Sequence, residues 1–138
     1  MMVYLDTSVV LRFLFRERNP IRVWGKWEKA YSSNLWRTEA FRTVDRLRLM
    51  GNLTDRDVAD LAKEIQIVHE TLVIVPLTET ILVRAGESFP TIVGTLVALH
   101  LSTALSVQEV EKLDQFLTHD QRLGIAAQSL GFNVSGIP

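Results

Sequence analysis

The first ten residues, MMVYLDTSVV, constrain the fold more than any other stretch. A short apolar run, Val3–Leu5, stops at an acid, Asp6; two hydroxyls, Thr7 and Ser8, then precede a new apolar run. This reads as a buried strand followed by a helix, with Thr7 or Ser8 placed to cap it. In an open α/β sheet, functional groups gather outside the carboxyl ends of the strands. An acid at the end of the first strand therefore stands where a ligand or metal would sit. The plainer use of Asp6 is as a helix cap. Two later acids, Glu39 and Asp120, occupy the same kind of position, and that recurrence favours a shared site.

The rest of the chain repeats the pattern. Helices are expected over about Ser8–Phe15 and, opened by Pro20 at its first turn, over Pro20–Lys29. A weak strand, Ala30–Leu35, leads to a long helix over Trp36–Met50, with Ser33 or Asn34 as its cap. Gly51-Asn52 ends that helix, and Thr54 caps the next, Asp55–Thr71; the two form a helical hairpin. Leu72–Val75 is a continuous apolar run, as expected of a buried parallel strand. Helices over Thr78–Ser88 and, capped by Thr95, over Leu96–Leu105 follow. A strand at Phe116–Thr118, a helix at Gln121–Leu130 and a last strand at Phe132–Val134 complete the chain. The order predicts a three-layer α/β/α sandwich around a parallel sheet of four to five strands. With 138 residues, the chain is read as a single domain, 1–138.

Composition narrows the function classes. No run of 18 or more apolar residues is present, so no membrane span is expected. The start has neither the basic region nor the long apolar core of a signal peptide. The absence of cysteine excludes disulfides and thiolate metal sites and fits a cytoplasmic protein. Net charge is −1, but residues 1–50 hold ten Lys/Arg against five acids, and the remainder five against eleven. A basic half beside an acidic one suits a polyanion-binding face; a solvated surface with internal ion pairs explains it equally well.

Several carboxylates in one crevice repel one another and raise each other's pKa unless a cation joins them. Hard divalent ions such as Mg²⁺ or Mn²⁺ prefer such oxygen ligands. An ion held this way can activate water and stabilise displacement at a phosphodiester. Ser8 could position a water or a phosphate oxygen. Arg12, Arg37, Arg42 and Arg46 are candidates for a phosphate path, or plain surface charges. His100 reads as a hydrogen-bonded structural or supporting group, His119 as a solvated loop residue and His69 as a surface residue. Trp24 and Trp27 are read as core or interface.

Four segments together resemble the PIN domain, and within it the VapC-type toxins of toxin–antitoxin pairs: LDTSVVLRFL at Leu5–Leu14, SNLWRTE at Ser33–Glu39, TLVALHLSTAL at Thr95–Leu105 and FLTHDQRL at Phe116–Leu123. The resemblance covers essentially the whole chain. It implies a Mg²⁺- or Mn²⁺-dependent ribonuclease, often dimeric, neutralised by a small antitoxin protein. By matching motifs, Asp6, Glu39 and Asp120 would be the acid metal ligands and catalytic residues, with Ser8 as a polar helper. One position departs. The family motif reads Leu-Asp-Ala-Leu-His where this chain has Leu96-Val97-Ala98-Leu99-His100, so Val97 stands where the third acid is expected. The first turn of a helix favours an acid, and a β-branched Val suits it poorly. Val97 is open to three explanations: an inactivating substitution, a naturally weakened or non-catalytic relative, or a neighbouring acid or water supplying the ligand.

Other sheet-end aspartate families fit less well. A dehalogenase-like phosphatase needs a second acid where Ser8 stands. A response-regulator receiver needs an acidic pair and a late Lys that are not visible here. The rival of another class is a non-catalytic PIN-fold module that binds RNA or an antitoxin protein.

Overall fold

Val3, Tyr4 and Leu5 have no exposed surface, which a strand achieves only when helices cover both of its faces. The computed structural model describes residues 1–138. It contains β1 (Met2–Leu5), α1 (Thr7–Leu14), β2 (Lys29–Ser33), α2 (Leu35–Leu49), α3 (Asp55–Thr71), β3 (Val73–Val75), α4 (Glu79–Ala85), α5 (Thr95–Gln108), β4 (Gln115–Leu117), α6 (Gln121–Ser129) and β5 (Val134–Ser135). The five strands are all parallel and lie in the order β3-β2-β1-β4-β5. The expected parallel sheet between helical layers is therefore present.

Side chains alternate across a strand, and β1 divides the core accordingly. Val3 and Leu5 join Val9, Val10, Trp36, Ala40 and Ile65 under α1, α2 and α3. Tyr4 points the other way, into Leu101, Ala104, Leu123 and Ala127 under α5 and α6. Each aliphatic side chain so buried contributes about 1.5–3 kcal/mol. From β1 the chain adds β2 and then β3 on one side. It then returns through α4 and α5 to place β4 on the other side of β1. Strand order reverses between β1 and β4, and such a reversal opens a crevice at the carboxyl ends. Asp6 and Asp120 both stand at that edge, and the Asp6 amide donates to the Leu117 carbonyl at 3.2 Å across it.

The α2–α3 hairpin forms as its sequence indicates. Gly51, at φ +80°, turns the chain. Thr54 and Asp57 close a reciprocal capping box at the start of α3. No helix is long and apolar enough to cross a membrane.

The helix expected over Pro20–Lys29 is absent. Gly25 lies in the middle of that segment at φ +75°, and Arg16 and Asn19 ahead of it are also left-handed. The amides of Trp24 and Lys26 reach back only three residues, to Ile21 and Val23. Aromatic packing holds the segment instead. Trp24 stacks on Phe13 with centroids 4.1 Å apart and meets Trp27 edge-on at 5.3 Å. Smaller differences concern helix ends. Gly94, not Thr95, is the N-cap of α5, which continues to Gln108, and α4 stops at Ala85.

Candidate active site

Asp6 occupies the N-cap position of α1 with extended backbone (φ −92°, ψ 174°), yet its side chain accepts no capping bond. The capping use of this acid is not made, nor does Thr7 or Ser8 cap the helix. The carboxylate is buried, 5% exposed. Burial pushes its pKa up to about 6, and the charge of Glu39 adds to the rise; His100 and the hydroxyls of Ser8 and Thr118 act against it.

Ser8 donates its hydroxyl to Asp6 Oδ1 at 2.7 Å and accepts the His119 amide at 2.9 Å. It thereby ties the first turn of α1 to the turn between β4 and α6. Thr118 Oγ1 lies 3.5 Å from the Ser8 hydroxyl and, within the turn, accepts the Asp120 amide at 3.0 Å. Asp120 itself is exposed and caps α6, its Oδ1 accepting the Leu123 amide at 3.1 Å. Glu39 rises from α2, and its carboxylate is about one-quarter exposed. Its Oε1 accepts from Thr7 Oγ1 at 2.8 Å and from His100 Nε2 at 2.7 Å. Val97 is half-buried, packs on the second core, and lies one turn before His100 on the same face of α5.

Beside these acids runs a cleft of about 370 Å³. Ser8, Leu11, Arg12 and Phe15, at helical spacing along α1, form one wall. Thr43 and Arg46 of α2 and the His119–Asp120 turn complete its lining, with Glu17 beside Phe15.

A PIN domain model matches residues 3–127. The chain belongs to the PIN domain family. Ribonuclease VapC47 from Mycobacterium tuberculosis (strain CDC 1551 / Oshkosh) is 31% identical over 138 residues, spanning 95% of this chain and 93% of that protein. This places the chain with the VapC-type ribonucleases. Two solved structures share the fold. VapBC2 from Rickettsia felis, bound to a DNA fragment from their promoter, superposes with a TM-score of 0.66 at 13% identity, covering 98% of each chain. VapBC-1 from nontypeable Haemophilus influenzae gives 0.61 at 16% identity, covering 98% of this chain and 97% of that one.

The PIN fold gathers the sequence-derived candidates unequally. Asp6 and Glu39 come close enough for the charge of one to raise the pKa of the other. No three Asp, Glu or His side chains converge closely enough to hold one metal. The donor set therefore fits a hard divalent cation in kind, being carboxylate oxygen, buried at Asp6, without a Lys or Arg partner. It falls short in number, with Asp120 turned to its capping role and Val97 offering no oxygen.

Of the four candidate phosphate-path arginines, Arg12 and Arg46 line the cleft. Arg37, which donates to Gln66, and Arg42, which pairs with Asp45, lie outside the cleft lining; Arg12 is itself paired, with Glu17 of the cleft at 3.8 Å. His119 is not a solvated loop residue. Its Nδ1 lies 2.8 Å from the Gly136 carbonyl, its Nε2 is enclosed without a partner, and burial lowers its pKa. His69 is not simply on the surface either: it accepts from Trp36 Nε1 at 3.0 Å and stacks on that ring.

Sequence reasoning missed Tyr4, Thr7 and Thr118. A signal existed for each. Thr7 and Thr118 lie within two residues of a flagged acid, and Tyr4 is the one polar-tipped residue in an otherwise aliphatic strand.

Proposed function

We propose that this chain is the toxin ribonuclease of a toxin–antitoxin pair, dependent on Mg²⁺ or Mn²⁺ and weakened by Val97. The observation that carries the reading is the Asp6–Glu39 pair. It consists of two carboxylates in one crevice at the β1/β4 reversal, one of them buried and raised to about 6, with no cationic Lys or Arg against either. Such a pair is electrostatically unfavourable alone and favourable around a cation. Asp6 and Glu39 would hold the ion, and Asp120, whose Oδ1 caps α6, has only its second oxygen left to offer as a third acid. The ion would supply a water activated for attack and charge neutralisation at a phosphodiester.

The chain's own groups have distinct parts. Ser8 fixes Asp6 through its 2.7 Å bond and keeps the β4–α6 turn against α1. Arg12 and Arg46 face the cleft where an RNA backbone would run, and Arg suits phosphate contact. Identity of 31% to a VapC ribonuclease supports RNA as the substrate. The two VapBC structures that share the fold support an antitoxin protein as partner. A homodimer is the proposed assembly.

Val97 favours a second reading, a PIN-fold module that binds RNA or antitoxin without cutting. Affinity for a hard cation follows the number of charged ligands, and here one is absent. A side-by-side Mn²⁺-dependent ribonuclease assay of the native chain and Val97→Asp, with EDTA and Asp6→Asn controls, separates the two. Cleavage by the variant, lost with EDTA and in Asp6→Asn, with little from the native chain, is the expected result. Full activity of the native chain refutes the weakening. Failure of both proteins to cut RNA or to bind Mn²⁺ selects the binding module.

A further inference from the structure

Glu39 is held from behind. Two groups, His100 Nε2 and Thr7 Oγ1, converge on Oε1 alone. A carboxylate oxygen accepts, so Nε2 of His100 donates to Oε1. Nδ1, the other ring nitrogen, is hydrogen-bonded to the Tyr4 hydroxyl at 2.8 Å. The phenol is fully buried, and burial holds its pKa well above the usual range, so it keeps its proton. Both ring nitrogens of His100, itself 2% exposed, are thereby used. Tyr4 belongs to the central strand and His100 to α5, and both are buried. His100 is also one turn from Val97, on the helix face that the expected third acid would share.

We propose that His100, aimed by Tyr4, is a positioning residue for Glu39. It commits one carboxylate oxygen to the protein and leaves the other for the cation. The proposal rests on the reading of Asp6 and Glu39 as cation ligands. A long flexible Glu side chain loses rotamer freedom when it binds an ion. A chain of buried hydrogen bonds that fixes it beforehand removes that loss from the binding step. Partners behind a metal ligand typically change metal affinity about 10–100-fold when removed.

The test is Mn²⁺ titration of the metal-stripped, full-length protein, followed by the paramagnetic resonance signal of free Mn²⁺. It is run on the native chain and on Val97→Asp, each with His100→Leu, His100→Gln or Tyr4→Phe added. His100→Leu removes the donor to Glu39 and is expected to weaken Mn²⁺ binding about 10–100-fold. His100→Gln restores an N–H near the position of Nε2 and is expected to recover most of that loss. Tyr4→Phe, which leaves Nδ1 unpaired, should weaken binding less than His100→Leu. A merely structural pair would move the melting temperature and leave the Mn²⁺ affinity of the folded protein unchanged. Equal affinity in folded His100→Leu and its parent overturns the proposal, as does binding by His100→Gln as weak as by His100→Leu. Should His100→Leu not fold, Tyr4→Phe decides: weaker binding supports positioning, and unchanged binding overturns it. If neither parent binds Mn²⁺, the cation reading fails and takes this proposal with it. Parental binding that the variants leave intact overturns positioning alone.

Discussion

Asp6 makes the stability of the metal-free protein depend on pH in an unusual direction. Its pKa rises from the ordinary 3.8 to about 6, first because burial penalises the charged form and then because Glu39 is near. The folded state therefore holds this proton more tightly than the unfolded chain does. Stability falls as pH rises from about 4 to about 6, and the penalty is fully present above that window. The gap between 3.8 and about 6 corresponds to about 3 kcal/mol, an upper figure for a group this buried. Asp6→Asn keeps the shape and an oxygen for Ser8 while removing the charge. In EDTA at pH 7.5 it should be more stable than the native protein by about 1–3 kcal/mol, roughly 3–10 °C in melting temperature. At pH 4 the gap should shrink to about 0.5 kcal/mol, roughly 2 °C, since Asp6 is then protonated in the folded state and about two-fifths protonated in the unfolded chain. Urea and thermal unfolding of both proteins across pH 4–8 measure this directly. Every other titrating group is common to the two, so their difference isolates Asp6. A difference that is flat with pH, or that favours the native protein at pH 7.5, refutes the account of the buried carboxylate.

Gly136 sits at φ +110°, where an added Cβ would lie 2.1 Å from the Thr118 carbonyl; Gly136→Ala should lower stability by about 2 kcal/mol or more, read from the urea midpoint. Gly25 is left-handed too but has nothing within 4 Å, so Gly25→Ala should show only the conformational part, about 1 kcal/mol. Thr54→Ala removes one half of the capping box of α3 and should destabilise by about 1 kcal/mol in the same assay. Trp24→Ala removes the ring stacked on Phe13; at a half-buried position it should cost roughly half of the 3–5 kcal/mol typical of a full core site. Trypsin should then cut at Arg16, Arg18, Arg22 or Lys26 faster than in the native chain, as intact-mass spectrometry would show.

Much of the fold is legible in the sequence because its signals are local. A buried parallel strand is a short apolar run, and Val3–Leu5 reads that way without help from the rest of the chain. Val73–Val75 reads the same and does form a parallel strand, but at the sheet edge with Val73 exposed, so the burial expected of it is not met. Thr54, Asp55 and Asp57 announce the start of α3 from within a single turn. The segment between Arg16 and Glu28 was not legible as it folds. Pro20 and the spacing of Ile21 and Trp24 imitate a helix start, and only Gly25 argues against one. What decides is the Phe13–Trp24–Trp27 packing, which links two elements and leaves no periodic trace. The chemistry of the site divides the same way. An acid after an apolar run flags Asp6, Glu39 and Asp120 one at a time. That Oε1 of Glu39 is bonded to a histidine 61 residues away, which is bonded in turn to a tyrosine 96 residues from it, exists only in three dimensions. Arg12 and Arg46 differ from Arg37 and Arg42 only in the helix face they occupy and the neighbours there.

The hydrogen bonds that hold the acids run from Ser8 to Asp6, from the His119 amide to Ser8, from the Asp120 amide to Thr118, and from Tyr4 through His100 to Glu39. None passes through residue 97. Changing that residue therefore alters the charge of the site without dismantling its support. Val97→Asp replaces half-buried apolar surface on the second core with a third carboxylate, one helical turn from His100. Without metal, lost burial and like-charge repulsion act together, and stability at pH 7.5 should fall by about 1–3 kcal/mol. A cation that binds the folded state alone returns stability as RT ln(1 + [L]/Kd), about 2.7 kcal/mol at a hundredfold excess over Kd. Saturating Mn²⁺ should thus raise the melting temperature of Val97→Asp well above the rise it gives the native chain, and give Asp6→Asn almost none. Thermal unfolding with and without Mn²⁺ reads all three proteins without needing any RNA. Equal Mn²⁺ shifts in the native chain and Val97→Asp would show that residue 97 is not part of the cation site.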